Sequence, residues 1–222
     1  MKDSRLNAVK NFVRQGSKVA DIGTDHAYLP IELIRSEKVF KVIASDKNFG
    51  PCQAARKNIS AAGLENFIEV RQGDGLKILK VGEVDTICIS GMGGILIAEI
   101  LAAAPEIFQS VNQLVLQPMN AADELKKFLQ ENNWFVGDED LAEENGIIYE
   151  VICAVKNFSQ VAEVSKKKNS PLLKKFLAQK IEKLEKVEAE MKKSSAAIRT
   201  EKFLNLQKKI SELKMKQKAI TF

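Results

Sequence analysis

An α/β fold, with a mostly parallel sheet wrapped by helices and a separate helical appendage after it, is what this sequence predicts, and three observations predict it. Short Val- and Ile-rich runs alternate with helix-period segments up to about residue 131, the pattern of buried strands joined by crossover helices. Several of these runs end in, or run directly into, aspartate or glycine, as at Asp21, Asp46 and Asp74. After residue 160 the composition becomes lysine-rich, with apolar residues every three or four positions. Two domains follow, 1–160 and 161–222.

A chain of 222 residues that is 45% hydrophobic can bury a full α/β core and keep material for a small appendage. Cys52, Cys88 and Cys153 are odd in number and far apart. They provide neither a zinc spacing nor a disulfide framework, so no metal and a reduced, cytoplasmic setting are expected. The first residues lack a signal-like apolar core, and no apolar stretch approaches the roughly 20 residues that span a bilayer; no membrane association is expected. Charge is unevenly shared. Residues 1–160 hold 17 Lys and Arg against 22 Asp and Glu, a net of −5, whereas residues 161–222 hold 17 against 7, a net of +10. A basic tail on an acidic body suits attraction to a polyanion.

Along the chain, Ser4 is expected to cap a first helix reaching about Gln15, with Leu6, Val9 and Val13 on one side, Arg5 in its first turn and Gly16 as its stop. Residues 19–30, VADIGTDHAYLP, then join a strand to a helix through Gly23, with Thr24 or Asp25 available as cap. A dinucleotide fingerprint places three glycines beneath a pyrophosphate, whereas here one glycine stands between Asp21 and Asp25. Two carboxylates repel a diphosphate and attract a cation. A sulfonium cofactor with an amino-acid tail, S-adenosylmethionine, fits over Gly23 better than NAD.

The second strand, 41–46, ends at Asp46, 23 positions after Gly23, where an acidic residue accepts hydrogen bonds from adenosine ribose hydroxyls in doubly wound folds. A third strand, 66–71, leads to Asp74 and Gly75, and Asp74 is the candidate for the adenine amino group. The fourth, 84–89, opens into Ser90, Gly91, Met92, Gly93 and Gly94, three glycines in four positions that suit close approach to a ligand or flat ring. The fifth, 113–118, ends in Gln117 and Pro118 and runs through Met119 and Asn120 into a helix around Leu125 and Leu129. Strands at 134–136 and 146–155 follow, joined by an acidic connection, 137–145, as an antiparallel hairpin, with Trp134 in the core. Residues 161–171 read as a linker. Leu173, Leu177, Ile181, Leu184, Val187 and Met191, then Phe203, Leu206, Ile210 and Leu213, mark two amphipathic helices that break near Ser194 and fold back as an antiparallel coiled coil.

Taken together, residues 19–30, 71–76 (RQGDGL), 90–94 (SGMGG) and 116–118 (LQP) resemble the bacterial tRNA adenine-22 N1-methyltransferase family, and the likeness extends from Arg5 to the C-terminal helices. One place departs: the family pattern Gln-Pro-Asn here reads Gln117, Pro118, Met119, Asn120. The resemblance implies a Rossmann-like class I methyltransferase sheet, an S-adenosylmethionine cofactor, tRNA as partner and a helical appendage that helps hold it; no obligate protein partner is expected. It implies that Asp21, Gly23, Thr24 and Asp25 hold the cofactor, with His26 lining its methionine end beside Tyr28. Asp46, Lys47, Asp74, Gly75, Ser90 and Gly91 complete that set, while Gly91, Met92, Gln117 and Pro118 wall the target base. Two other functions compete. A non-catalytic RNA-binding module would have no need of carboxylates at Asp21, Asp46 and Asp74, and a small-molecule methyltransferase would leave the basic tail idle.

Overall fold

The Val- and Ile-rich runs pair as expected. In the computed structural model, which describes residues 3–157, 172–194 and 196–220, β1 (Val19–Ile22), β2 (Val42–Asp46), β3 (Ile68–Gln72), β4 (Thr86–Met92) and β5 (Gln113–Pro118) are parallel. β6 (Phe135–Glu144) and β7 (Ile147–Val155) join antiparallel, in the order β3-β2-β1-β4-β5-β7-β6. The order reverses between β1 and β4, so the crevice where doubly wound sheets bind ligands opens at the carboxyl ends of those strands.

Helices cover both faces. α1 (Ser4–Phe12), α2 (Tyr28–Arg35) and α3 (Phe49–Ala61) pack Val9, Leu33 and Ile59 against Val19, Val42, Cys88 and Val115. α4 (Gly94–Ala102), α5 (Pro105–Ser110) and α6 (Ala122–Glu131) pack Ile97, Leu101, Phe108, Leu125 and Leu129 against Ile22, Ile87, Ile89 and Leu114. Trp134 is buried as expected and stacks on Phe108, ring centroids 5.5 Å apart.

Several local expectations change. Asp3, not Ser4, caps α1, its side chain accepting from the Leu6 N–H at 3.0 Å, because Ser4 is drawn into contact with the β6–β7 turn. The helix ends at Phe12, short of Gln15. Neither Thr24 nor Asp25 caps α2, whose N-cap is Ala27 in the left-handed region; Thr24 Oγ1 donates to Asp21 instead. The N-cap of α6 is Ala121, also left-handed, and not Asn120. The acidic connection 137–145 is mostly strand: β6 continues to Glu144 and the turn is Asn145 and Gly146, with φ of 50° and 79°. Asn-Gly is the dipeptide that supplies two left-handed residues to a tight hairpin, and acidic side chains are tolerated on an edge strand.

The chain divides into two units, Met1–Lys168 and Asn169–Phe222; the expected boundary at 160/161 and the linker 161–171 lie outside the described residues. In the second unit α7 (Leu173–Met191) and α8 (Glu201–Lys218) run antiparallel, burying Leu177, Ile181, Phe203 and Ile210. Gln207 donates to Glu188 at 2.9 Å and Gln217 to the Lys174 carbonyl at 3.3 Å, which fixes the direction. Val187, expected in the seam, is exposed; Glu188 faces α8 at that level. Among the described residues no helix is long and apolar enough to cross a membrane.

Candidate active site

The first loop bends sharply off β1. Gly23 has φ of 74°, and the N–H groups of Gly23 and Thr24 both donate to the Ser45 carbonyl at 2.8 Å, which draws the loop toward β2. Asp25 and Ala27 also occupy the left-handed region, a strain of order 1–3 kcal/mol each that tends to collect at functional sites. Behind this loop Asp21 is buried at the carboxyl end of β1 and accepts a 2.7 Å hydrogen bond from Thr24 Oγ1. Loss of hydration pushes its carboxyl up to about 6, Thr24 opposing and the nearby Asp46 charge adding to the rise. A buried carboxylate short of compensation is a group that seeks a cation.

His26 stacks on Tyr28, ring centroids 5.4 Å apart, and its Nε2 lies 3.6 Å from Asp25 Oδ2. The next loops are tied in series. Asp46 Oδ1 accepts from the Asn48 N–H at 2.9 Å, and the Asp46 carbonyl accepts from Gly73. Asp74 is exposed, with Lys47 3.3 Å from Oδ1 and Lys77 3.4 Å from Oδ2, and these lysines hold its carboxyl below the usual range. Arg71 braces this loop from below by bonding Glu69, Glu83 and the Ile78 carbonyl; its hydrogen bonds pull Glu83 down to about 2.

Across the switch point the loops after β4 and β5 interlock. Gly91 forms a bulge with φ of 78° where the β4–β5 register shifts. The Met119 N–H donates to the Met92 carbonyl at 2.8 Å and the Gly94 N–H to the Asn120 carbonyl at 3.0 Å. A Cβ on Gly94 would stand 2.3 Å from the Ala121 carbonyl oxygen, so this glycine serves backbone packing and not the ligand approach expected of it. The Met92 methyl lies 2.1 Å from where a Cβ on Gly23 would be; Met92 therefore covers the first loop. Gln117 is fully buried: its Oε1 accepts from Gly91 N–H and from Arg5, each at 3.0 Å, and its Nε2 donates to the Pro118 carbonyl at 3.1 Å. Gln117 and Pro118 are thus buried behind this loop, leaving Gly91 and Met92 at its surface.

The structure therefore brings Asp21, Gly23, Thr24, Asp25, His26, Tyr28, Asp46, Lys47, Asp74 and Gly75 to one half of the carboxyl edge, and Ser90, Gly91, Met92, Gln117 and Pro118 to the other. Arg5, expected in the first turn of a helix that packs on the sheet or, as the lesser alternative, to meet nucleic acid, turns its guanidinium to Gln117. The signal for this is its place: a cation in a helix's first turn opposes the helix dipole, so it needs a partner elsewhere. Met119 and Asn120 stand exposed beside Gly93, with Asn120 Oδ1 3.0 Å from its Cβ position. A groove of about 740 Å³ at the opposite, amino edge, between Phe40 and Phe67, contains none of these residues.

A methyltransferase domain family model matches residues 2–152. The Bacillus subtilis tRNA (adenine(22)-N(1))-methyltransferase is 41% identical over 150 residues, 68% of this chain and 63% of its own length. The crystal structure of B. subtilis TrmK superposes with a TM-score of 0.79 at 32% identity, covering 98% of this chain and 97% of that one. The chain belongs to the TrmK methyltransferase family. The crystal structure of Streptococcus pneumoniae Sp1610, solved with S-adenosyl-L-methionine, gives a TM-score of 0.81 at 34% identity over 97% of this chain and 99% of that one. The match to the curated B. subtilis relative spans less than two thirds of that protein, whereas the TrmK-like solved structures follow this chain over nearly its whole length.

The residues present suit an S-adenosylmethionine-like cofactor on their own chemistry. Asp21 seeks a cation, Asp46 keeps one carboxylate oxygen beyond its bond to Asn48, and Ser90 Oγ is buried without a hydrogen-bond partner, a hydroxyl two residues beyond Cys88 on the Asp21 side of the sheet. Among the described residues no cluster could hold a metal ion.

Proposed function

We propose that this protein transfers a methyl group from S-adenosylmethionine to N1 of an adenine in tRNA, at position 22 of the D-arm region. The observation that carries the reading is the row of carboxylates along one sheet edge: Asp21, buried behind a left-handed glycine turn, then Asp46 ending β2 and Asp74 after β3. The family relationship and the cofactor carried by Sp1610 support it.

When bound, S-adenosylmethionine supplies an electrophilic methyl on a positively charged sulfur. Asp21 and the loop of Gly23 to Asp25 would face its amino-acid end, with His26 and Tyr28 beside them. Asp46 would hold the ribose hydroxyls, and Asp74, Gly75 and Lys47 the adenine. Adenine N1 has an in-plane lone pair, so no side chain has to remove a proton before attack, and the protein's task is positioning. That edge is used in base pairing, so the target must be unpaired or extruded. Gly91 and Met92 would face it, while Gln117 and Pro118 hold their backbone. The basic segment 161–222 would take phosphates, so tRNA binding should weaken steeply with salt.

The test is incubation of the purified protein with methyl-labelled S-adenosylmethionine and unmodified tRNA, followed by mapping of the labelled nucleotide. Label at adenine N1 is expected; label confined to small molecules, or at another atom, overturns the assignment.

A further inference from the structure

A group of contacts outside these roles ties the far edge of the sheet to the base-facing wall. β5 and β7 stay paired only as far as Leu116 and Ile152, while β6 and β7 remain paired to each other out to Glu144 and Ile147. The hairpin tip therefore projects beyond the shared sheet as a two-stranded ribbon at the carboxyl edge.

This ribbon holds the start of α1. The Ser4 N–H donates to Glu144 Oε2 at 2.9 Å, and the Ser4 hydroxyl lies within reach of the same oxygen at 3.0 Å and of the Glu143 carbonyl. Asp3 caps the helix through Oδ1 and meets Arg5 Nη2 through Oδ2 at 3.3 Å. The ring of Tyr149, also on the ribbon, lies 5.9 Å from the Arg5 guanidinium carbon. From the other face of the sheet, Lys126 of α6 pairs with Glu139 and Glu150, so the ribbon is itself fixed.

Arg5, held this way, donates to the one Gln117 oxygen that also accepts the Gly91 N–H, and its Nη1 lies 3.2 Å from where a Cβ on Gly91 would stand. Its charge works against the dipole of its own helix, and its ion pair with the capping Asp3 offsets that locally. What it also touches is the oxygen that orients Gly91.

We infer that Glu144 and Ser4 are positioning residues for methyl transfer: the hairpin tip sets α1, α1 sets Arg5, and Arg5 with Gln117 sets Gly91 in the base-facing wall. The inference rests on the tRNA methyltransferase reading above. A displacement of about 1 Å at such a wall can cost about 100-fold in rate, so a contact at this remove can be felt in the chemistry.

The experiment is a double-mutant cycle on the full-length chain with Glu144→Ala, Arg5→Ala and the pair. Three quantities are read: single-turnover methylation of tRNA, cofactor affinity by calorimetry, and amide hydrogen exchange at Gly91. Glu144→Ala is expected to slow methylation about tenfold when Arg5 is intact and less than about twofold when Arg5→Ala is already in place, with cofactor affinity within about twofold throughout. Gly91 exchange should rise about tenfold in Glu144→Ala, and Glu144→Gln, which keeps an acceptor for Ser4, should recover most of the rate. Equal rate loss with and without Arg5, or unchanged Gly91 exchange, overturns the inference. If Glu144→Ala does not fold, Ser4→Ala, which leaves the backbone N–H bond to Glu144, should show the same dependence on Arg5 at about threefold. If the parent chain methylates no tRNA, the functional reading fails by itself and Gly91 exchange still decides the positioning.

Discussion

The two halves of the sheet's carboxyl edge hold their loops by different means. Over β1, β2 and β3 the loops are linked one to the next by backbone bonds, two from Gly23 and Thr24 to Ser45 and one from Gly73 to Asp46, with exposed ion pairs at Asp74. Carboxylates there face outward or lack full compensation, which is how a site for a charged ligand is kept open. Over β4 and β5 the loops are fitted backbone to backbone, with Gly94 against Ala121 and the Gln117 amide filled on both ends. One half is organised by charge, the other by close packing. Substitutions should therefore change ligand affinity in the first and folding in the second.

The sharpest way to break this contrast is Gly94→Ala. Its Cβ would meet the Ala121 carbonyl oxygen at 2.3 Å and the Asn120 carbonyl oxygen at 2.9 Å, neither of which is a flexible side-chain end. A loss of about 3 kcal/mol in stability is expected. Chemical denaturation measures it; a loss below about 1 kcal/mol would mean that the interlock yields.

Asp46→Ala should do the reverse. Its carboxylate accepts from the Asn48 N–H within its own turn, so its removal should leave the fold little changed. Removal of a charged acceptor for hydroxyls should, however, weaken S-adenosylmethionine binding by about 2 kcal/mol, near thirtyfold. Calorimetry decides between this and an Asp46 that serves only its own turn.

The third expectation concerns pH. Asp21 is raised to about 6 from an ordinary 3.8, so the folded chain binds a proton there more readily than the unfolded chain. Its charged form costs stability above pH 6, and that cost is relieved as pH falls from 6 toward 4. A cationic ligand needs the charged form, so affinity should fall by up to about tenfold per pH unit below about 6. Stability rising while affinity falls over one window is the signature, and Asp21→Asn should abolish both trends.

Much of the first half is legible in the chain before folding. A strand followed by one glycine between two aspartates, and an acidic residue ending the next strand, are local patterns, so Asp21, Gly23 and Asp46 can be placed by spacing. The second half depends on residues far apart. Gly93 and Gly94 invite a ligand when read alone, and only the arrival of Asn120 and Ala121 from another loop shows what they accommodate. Asp3 and Ser4 are both capping types; Glu144, 140 residues on from Ser4, decides between them. The β6 strand is hidden because its acidic residues look like a loop until the sheet edge is in view, although Asn145 and Gly146 mark the turn. Val187 has the period of the coiled-coil seam, yet Glu188 is the residue that faces α8 there.

The smallest effect sharpens the comparison most finely. Gly50, in the first turn of α3 just after the Asp46 turn, has an ordinary φ and nothing within 4 Å of where a Cβ would stand. Gly50→Ala should therefore raise stability by about 0.5 kcal/mol through reduced freedom of the unfolded chain and better helix propensity. Cofactor affinity should not move, because a half held by charge does not need its backbone bare at this point. A stabilised protein that binds S-adenosylmethionine as before keeps the contrast between the halves. A loss of affinity would show that the ligand itself approaches this backbone closely, and the first half would then depend on packing as the second does.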